Sequence, residues 1–504
     1  MPEDSQTEES ETGAGGQTIP SWSPLAAAGV AAVVVTVIAR LWLPQTTSSL
    51  WLDETGTVWL LQGSFLESLG HTLDYQGGSP LYYALLWPIR ALLGTTELAL
   101  RLPSLAGMGA AAYLLYRLGR RLFDAGAGAI AAGIFVAVPA ITFAASDARP
   151  YALAIAALVG SALALLNWLD SGRTRDGIVY ALTFAATIYL HYLFALALLA
   201  QGLVLLFRLG RRSPVRGKQL AYVYGTTAVL LIPAVPILLR VASERGVLSN
   251  PYPQTTRQIL GALFPESLAV LLVAGFALAC LFWPPRVRAW KAEDGGLPFV
   301  VAWFTLPFVT LVLLTELTST DLMVPRYFLS IVPAAALLIG AVVRRLGNIW
   351  PQLLLVAGFG VYAMTRFFSA THTTEDWRAA AELEREIVTS STTPVLLYSG
   401  FIEAKQADWL RDPEKASYLN APTAAYPFDG DPIYPLPFGE DKDTTAYIEE
   451  IAERMERTSS FVLVTRGAES HSGWFAERLS ASGFSASERG SFGGQVRVFE
   501  FTRS

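Results

Sequence analysis

The chain has a single cysteine in 504 residues, Cys280, and it lies inside an apolar run. That excludes an intramolecular disulfide and a Cys-based zinc site. Histidine is almost as scarce: His71, His191, His372 and His471 are scattered, which argues against a His-rich metal site. Charge is also sparse. Only 16% of residues are charged, against about 25% in soluble domains. The net charge is −5, so no basic footprint for nucleic acid is present. Lysine is nearly missing, with 5 Lys against 32 Arg. Together with an acidic soluble surface, this bias fits a halophilic, high-GC source such as a halophilic archaeon. No N-x-[ST] sequon occurs.

What fills the chain is apolar: 52% of residues are hydrophobic and the mean hydropathy is +0.40. Such a composition excludes a soluble enzyme, a collagenous chain and a disordered one. Residues 1–24 hold five acids and no base, and read as a disordered cytoplasmic tail. They lack the basic n-region of a signal peptide, so the next apolar run is expected to be retained as a span.

A span needs about 20 apolar residues. Eleven runs qualify or come close: 25–43, 99–117, 127–146, 150–169, 177–191, 193–208, 219–240, 266–284, 297–315, 325–343 and 348–367. Basic clusters at Arg117/Arg120/Arg121, Arg173/Arg175, Arg208–Lys218, Arg286/Arg288/Lys291 and Arg344/Arg345 fall in alternating loops. With the N-terminus cytoplasmic, all five agree with the positive-inside rule. Counting Pro80–Gly94 as a span inverts that order. This segment, with Pro88 and Arg90 inside it, is therefore expected to lie in the outer interface. The first outer loop then runs from about 44 to 98.

Beyond Phe368 the composition changes. Residues 370–504 hold 22 acids and 13 bases, with no long apolar run. Helices over 375–389, 444–457 and 472–482 and strands over 394–400, 460–466 and 494–502 predict a small α/β domain outside the membrane, with a loop at 420–441. The expected division is thus 1–24 tail, 25–369 transmembrane domain and 370–504 extracytoplasmic domain.

Four groups of residues carry potential chemistry, and each has a plain structural alternative. Asp53 and Glu54 directly follow the first span. A carboxylate there is placed to act as general base toward a hydroxyl; alternatively Asp53 N-caps a helix over 55–69 and Glu54 helps its dipole. Asp147 and Arg149 occupy the short turn Ser146–Tyr151. They are placed to line a polar cavity near Asp53, with Arg149 holding a phosphate through its planar fork, or else they form a local ion pair. His191-Tyr192 in another short turn suits a sugar hydroxyl or phosphate, or a simple interfacial anchor. Arg326-Tyr327 opens the tenth run, as a clamp on an anionic head group or a snorkelling anchor. Under the topology above, all four open to one face.

The segments LWLDET (50–55), SPLYYALLWPI (79–89), ELALRLPSLAGMGAAAYLLYRLGRRLF (97–123), SDARPYAL (146–153), YLHYL (189–193) and PRYFLSIVPAAALL (325–338) resemble those of the GT-C superfamily of glycosyltransferases. The resemblance is to the branch of protein O-mannosyltransferases and aminoarabinose transferases. EDWRAAAEL (375–383) is similar to the opening of a soluble outer domain in related chains. The resemblance implies a polytopic helical membrane protein of about 11 spans, with in-plane helices in the first outer loop and a small C-terminal α/β domain. It implies transfer of a sugar from a polyprenyl or dolichyl phosphate to a glycan, lipid or protein acceptor, at the surface of the plasma membrane. Asp53 takes the position of the family's base, with Glu54 beside it, and Asp147 that of a second functional acid. Arg149, Tyr151, His191, Tyr192, Arg326 and Tyr327 become candidate substrate contacts.

The chain also departs from the family. Gln76-Gly77-Gly78-Ser79-Pro80 stands where O-mannosyltransferases carry a His-Pro-type motif, which argues against protein mannosylation and leaves Gln76 as a candidate substrate contact. The WWDYG-type motif of oligosaccharyltransferases is absent. No cofactor is demanded, and the lack of a DxD pattern at 53–55 leaves a divalent metal without a signature. A lipid-linked-sugar flippase and a polysaccharide polymerase or ligase are the rival readings.

Overall fold

The computed structural model describes residues 24–75, 79–210, 214–243, 253–283, 296–318, 320–346, 348–367, 374–439, 441–467 and 469–504. Up to residue 367 every regular element is helical, and from residue 377 helices alternate with five strands. All eleven apolar runs become helices. Among the described residues, six helices are long and apolar enough to cross a membrane, and nine if each of three bent pairs counts as one span. The other two runs form the helices Thr174–Leu190 and Ile349–Phe367. The chain is a multi-pass membrane protein, and by length and composition its described residues offer six to nine spans.

Two runs expected to be continuous, 127–146 and 219–240, are broken instead, and the run at 266–284 is preceded at an angle by a further helix. Ala125–Ala137 and Pro139–Ala145 meet at 73°, Gly217–Leu231 and Ala234–Ser243 at 56°, and Thr256–Leu263 and Glu266–Phe282 at 67°. A proline stands at each break (Pro139, Pro233 and Pro265), where it removes a backbone donor and disfavours helix in the residue before it.

The bundle packs through small residues. A Cβ added at Gly119 would meet the Cα of Gly128 at 2.7 Å, and one at Gly340 would meet the carbonyl of Ala127 at 2.6 Å. Helices Glu97–Leu122, Ala125–Ala137 and Val332–Val343 therefore approach backbone to backbone, as small residues allow in membranes. Outward, Leu199, Leu203, Leu206, Val229, Leu239, Val270, Val273 and Leu281 are exposed, an apolar belt suited to lipid.

Between the first apolar helix, Pro24–Thr47, and Glu97–Leu122 the chain forms three short helices: Leu52–Leu60, Phe65–Tyr75 and Pro80–Leu93. One helix over 55–69 was the expectation; Gly63, at φ +76°, breaks it into two. Asp53 is not its cap. The helix starts at Leu52, and Glu54 reaches back to the Trp51 N–H (3.2 Å). Leu66, Leu85, Leu92 and Leu93 stand exposed on the second and third helices.

The C-terminal part carries strands β1 (Val395–Tyr398), β2 (Ile433–Pro435), β3 (Ser460–Arg466), β4 (Phe484–Phe492) and β5 (Val496–Arg503). Their order is β2-β1-β3-β5-β4. β1 pairs in parallel with β2 and β3, while β5 runs antiparallel between β3 and β4. Several elements differ from expectation, among them the short helices Ala407–Arg411 and Pro413–Leu419. The loop at 420–441 contains helix Ala421–Ala425 and edge strand β2, and β4 is a strand that the sequence pattern hides. β4 reads FSASERGSF and is exposed along most of its length, so it lacks the alternation that marks a half-buried strand.

Candidate functional site

Helix Leu52–Leu60 sets the site, and Glu54 holds that helix. Glu54 is wholly buried and forms a two-pronged ion pair with Arg101 of helix Glu97–Leu122. One of its oxygens also accepts from the Ala148 N–H (2.7 Å). Arg101, equally buried, donates onward to the carbonyls of Gln45 (2.9 Å), Ser48 (2.7 Å) and Ser49 (3.1 Å). A buried charge pair is tolerable only when its remaining donors and acceptors are satisfied, and here they are. Through this pair the end of the first helix, the start of Glu97–Leu122 and the 146–150 turn are tied into one unit. Glu54, expected beside Asp53 as a catalytic carboxylate, thus stands inside the protein with its oxygens engaged.

Asp53 turns the other way. Its carboxylate is about one-fifth exposed and lies 3.4 Å from the guanidinium of Arg326. Arg149 donates to the backbone carbonyl of Asp53 (3.3 Å) and to the hydroxyl of Tyr83 (3.2 Å). Burial opposes the charge of Arg149, but the surrounding Tyr83, Asp53, Tyr151 and Asp147 raise its pKa well above the usual arginine value. It is a fixed cation. Asp147 is buried and accepts from the Trp51 indole N–H (3.0 Å). Tyr83 is also buried, and burial is the main cause that raises its phenol.

An aromatic wall continues from there. The rings of Tyr151 and His191 lie 5.3 Å apart, those of His191 and Tyr192 5.8 Å, and those of His191 and Tyr327 6.1 Å. Arg326 sits over the Tyr327 ring at 5.7 Å. His191 Nδ1 is buried with no hydrogen-bond partner among the described residues. Asp53, Asp147, Arg149, Tyr151, His191, Tyr192, Arg326 and Tyr327, spread over some 270 positions of sequence, therefore meet at one end of the bundle. Gln76 lies outside the described residues. The far end of helix Glu97–Leu122 is basic instead: Arg121 and Arg208 both bind Asp170, and Arg344 binds Asp124 (3.0 Å).

The C-terminal part holds the Asp53 loop from the other side. Glu375 accepts from the backbone N–H of Leu52 (2.9 Å), from the Trp377 indole (2.9 Å) and from Arg466 at the end of β3 (2.7 Å). The Tyr426 hydroxyl accepts from the Leu50 N–H (2.9 Å) and donates to Glu97 (2.7 Å). Neither Arg101, Tyr83, Trp51 nor Glu375 stands out in the sequence as a site residue. For Arg101 a signal exists: an ionisable residue inside an apolar run implies a partner.

The arrangement offers a partly exposed carboxylate flanked by two guanidinium groups and an aromatic wall. A carboxylate accepts protons; paired guanidinium forks suit phosphate oxygens. Among the described residues no group of three or more His, Cys, Asp or Glu side chains is assembled to hold a metal ion.

Residues 77–239 match the sequence model of the dolichyl-phosphate-mannose-protein mannosyltransferase family. No curated protein matches the chain in sequence. Among solved structures, ArnT from Cupriavidus metallidurans in its apo state superposes with a TM-score of 0.60 at 11% identity, covering 94% of this chain and 98% of that one. The same enzyme bound to undecaprenyl phosphate gives 0.57 at 10% identity, with the same coverage. The mycobacterial arabinofuranosyltransferase AftD gives 0.56 at 14% identity, covering 96% of this chain and 40% of that one. At such identities the likeness is one of fold: the chain has the GT-C architecture. The expected resemblance to these glycosyltransferases is met by the family model over residues 77–239 and, over the whole chain, by the fold.

Proposed function

We propose that this chain is a glycosyltransferase that moves a sugar from a polyprenyl phosphate carrier to an acceptor hydroxyl on the outer face of the plasma membrane. The observation that carries the reading is the position of Asp53, partly open, with Arg326 and Arg149 fixed beside it. The undecaprenyl phosphate bound to ArnT, a protein of the same fold, supports the choice of donor. The gathering of Arg121, Arg208 and Arg344 at the opposite end of the bundle supports a cytoplasmic location for that end. It leaves the Asp53 end and the sheet domain outside.

In this reading the acceptor oxygen attacks the anomeric carbon as its proton passes to Asp53. The bond from that carbon to the phosphate oxygen breaks, and its electron pair leaves with the polyprenyl phosphate. One displacement inverts the anomeric configuration. Arg149 and Arg326 meet the charge that develops on the leaving phosphate, in surroundings of low dielectric where a fixed cation acts strongly. Asp147 holds Trp51 beside the loop, and His191, Tyr192 and Tyr327 wall the sugar. Glu54 positions the loop and takes no proton.

The test is a transfer assay with purified protein in lipid, a panel of radiolabelled polyprenyl-phosphate sugars and a membrane extract as acceptor source. Removing a general base costs about 10²–10⁴-fold, so Asp53→Asn is expected to lose label transfer by that factor. Transfer at the wild-type rate by Asp53→Asn would overturn the role of Asp53. No transfer from any donor, with labelled lipid crossing the bilayer equally in both proteins, would favour a flippase.

A further inference from the structure

A cavity lies in the sheet domain. It encloses about 160 Å³, and its walls include Tyr398, Pro437, Phe438, Thr445, His471 and Trp474. Its place in the topology is informative. Tyr398 ends β1, Pro437 follows β2, and His471 stands in the first turn of helix Glu469–Ser480, which follows β3. β1 and β3 are parallel neighbours, yet the chain leaves β1 toward β2 on one side and leaves β3 toward β4 and β5 on the other. Where connections depart in opposite directions, a crevice opens at the carboxyl ends of the strands, and α/β sheets take ligands there.

The lining defines the kind of ligand. Apart from His471, no residue that lines the cavity is acidic or basic. The His471 ring stacks on Tyr398 at 4.4 Å, with 29° between planes. Burial pushes its pKa down to about 4 against the opposing hydrogen bond from the ring to the Pro437 carbonyl, so the ring is neutral at neutral pH. Its Nδ1 is buried without a hydrogen-bond partner among the described residues. A buried polar atom left unpaired is costly, and a ligand hydroxyl would relieve that cost. The walls thus combine three aromatic side chains, an unpaired nitrogen and the hydroxyls of Thr445 and Ser470, with no fixed charge. A sugar ring has the matching surface, apolar C–H faces bordered by hydroxyls. A volume equal to about five water molecules suits one ring and no more.

The cavity also lies on the edge of the sheet that meets the Asp53 loop. Arg466, the last residue of β3, points from that edge to Glu375, which accepts the Leu52 N–H next to Asp53. We infer that this cavity seats one neutral sugar unit of a glycan acceptor, so that the acceptor of the transfer is itself a carbohydrate. The inference rests on the transferase reading for the word acceptor, and on the cavity alone for the word sugar.

The test uses the full chain in lipid nanodiscs, with the methyl pyranosides of glucose, galactose and mannose as probes. Binding is followed by saturation-transfer NMR and by titration calorimetry. At least one glycoside should bind the wild type. Trp474→Ala, which removes an aromatic wall, should weaken binding at least tenfold. Thr445→Trp should do the same by filling the cavity from an exposed position, without removing any packed side chain. Asp53→Asn should bind as the wild type does. In transfer, Trp474→Ala should raise the KM for a glycan acceptor by a similar factor with kcat unchanged. Absence of binding by all three glycosides, or wild-type binding by Thr445→Trp, would overturn the sugar site. Should Asp53→Asn retain transfer while cavity binding still depends on Trp474, the catalytic reading would fail and the sugar site would stand.

Discussion

Asp53 and Glu54 are chain neighbours with opposite surroundings. Glu54 spends both oxygens on Arg101, Ala148 and the Trp51 N–H, and no solvent reaches it. Removing one partner of such a pair strands the other charge, at a cost of about 3–5 kcal/mol. Glu54→Gln is therefore expected to destabilise the protein by that order, read as a lowered thermal midpoint in detergent, whereas Asp53→Asn should leave the midpoint within the scatter of surface substitutions. Equal midpoints for Glu54→Gln and wild type would remove the structural role assigned to Glu54. The same pair explains what the sequence does and does not disclose. Asp53 is legible because an acid directly after a span is rare and its motif is familiar. Which of two adjacent acids stays partly exposed beside Arg326 is decided by Arg101, 47 positions away in the chain. Adjacency alone could not tell them apart.

The short helix Leu52–Leu60 illustrates how an element of one domain is finished by another. Its first turn has free N–H groups, as every helix start does. Glu54 accepts one N–H from within the loop, and Glu375, 323 positions later, accepts that of Leu52. Glu375 is a positioning residue: it accepts a backbone N–H of the turn that carries Asp53 and does not contact the Asp53 carboxylate. Loss of a capping group costs about 0.5–2 kcal/mol. Glu375→Ala should accordingly lower kcat several-fold with little change in donor KM, and Glu375→Gln, which keeps an acceptor oxygen, should recover part of it. A Glu375→Ala enzyme with unaltered kcat would refute the coupling. At this scale the fold was largely legible. Long apolar runs are local signals, whereas the breaks at Pro139 and Pro233 were not foreseen. β3 was expected over the residues it occupies, 460–466. β4 and β2 were not, since an exposed edge strand and a three-residue strand owe their existence to pairing with distant partners.

Taken whole, the molecule has a basic end and an end that holds the candidate site and the sheet domain. The proposed orientation is open to direct measurement, because the chain has only Cys280 to remove. In a Cys280→Ser background, Ser487→Cys on exposed β4 should react with a membrane-impermeant maleimide in intact cells. Arg175→Cys, at a position 84% exposed near the basic end, should react only after the cells are opened. The reverse pattern would invert the topology and with it the outer-face assignment. The length of helix Thr174–Leu190, which ends at His191, bears on how donor and site meet. Its 17 residues extend for about 26 Å at 1.5 Å per residue, short of the roughly 30 Å of hydrocarbon in a bilayer. A span shorter than its membrane draws the lipid surface inward around it. Hydrophobic mismatch on this flank would lower the head groups toward the His191 turn, so that a carrier lipid arriving there would bring its phosphate to the depth of Arg326 without being lifted out of the leaflet.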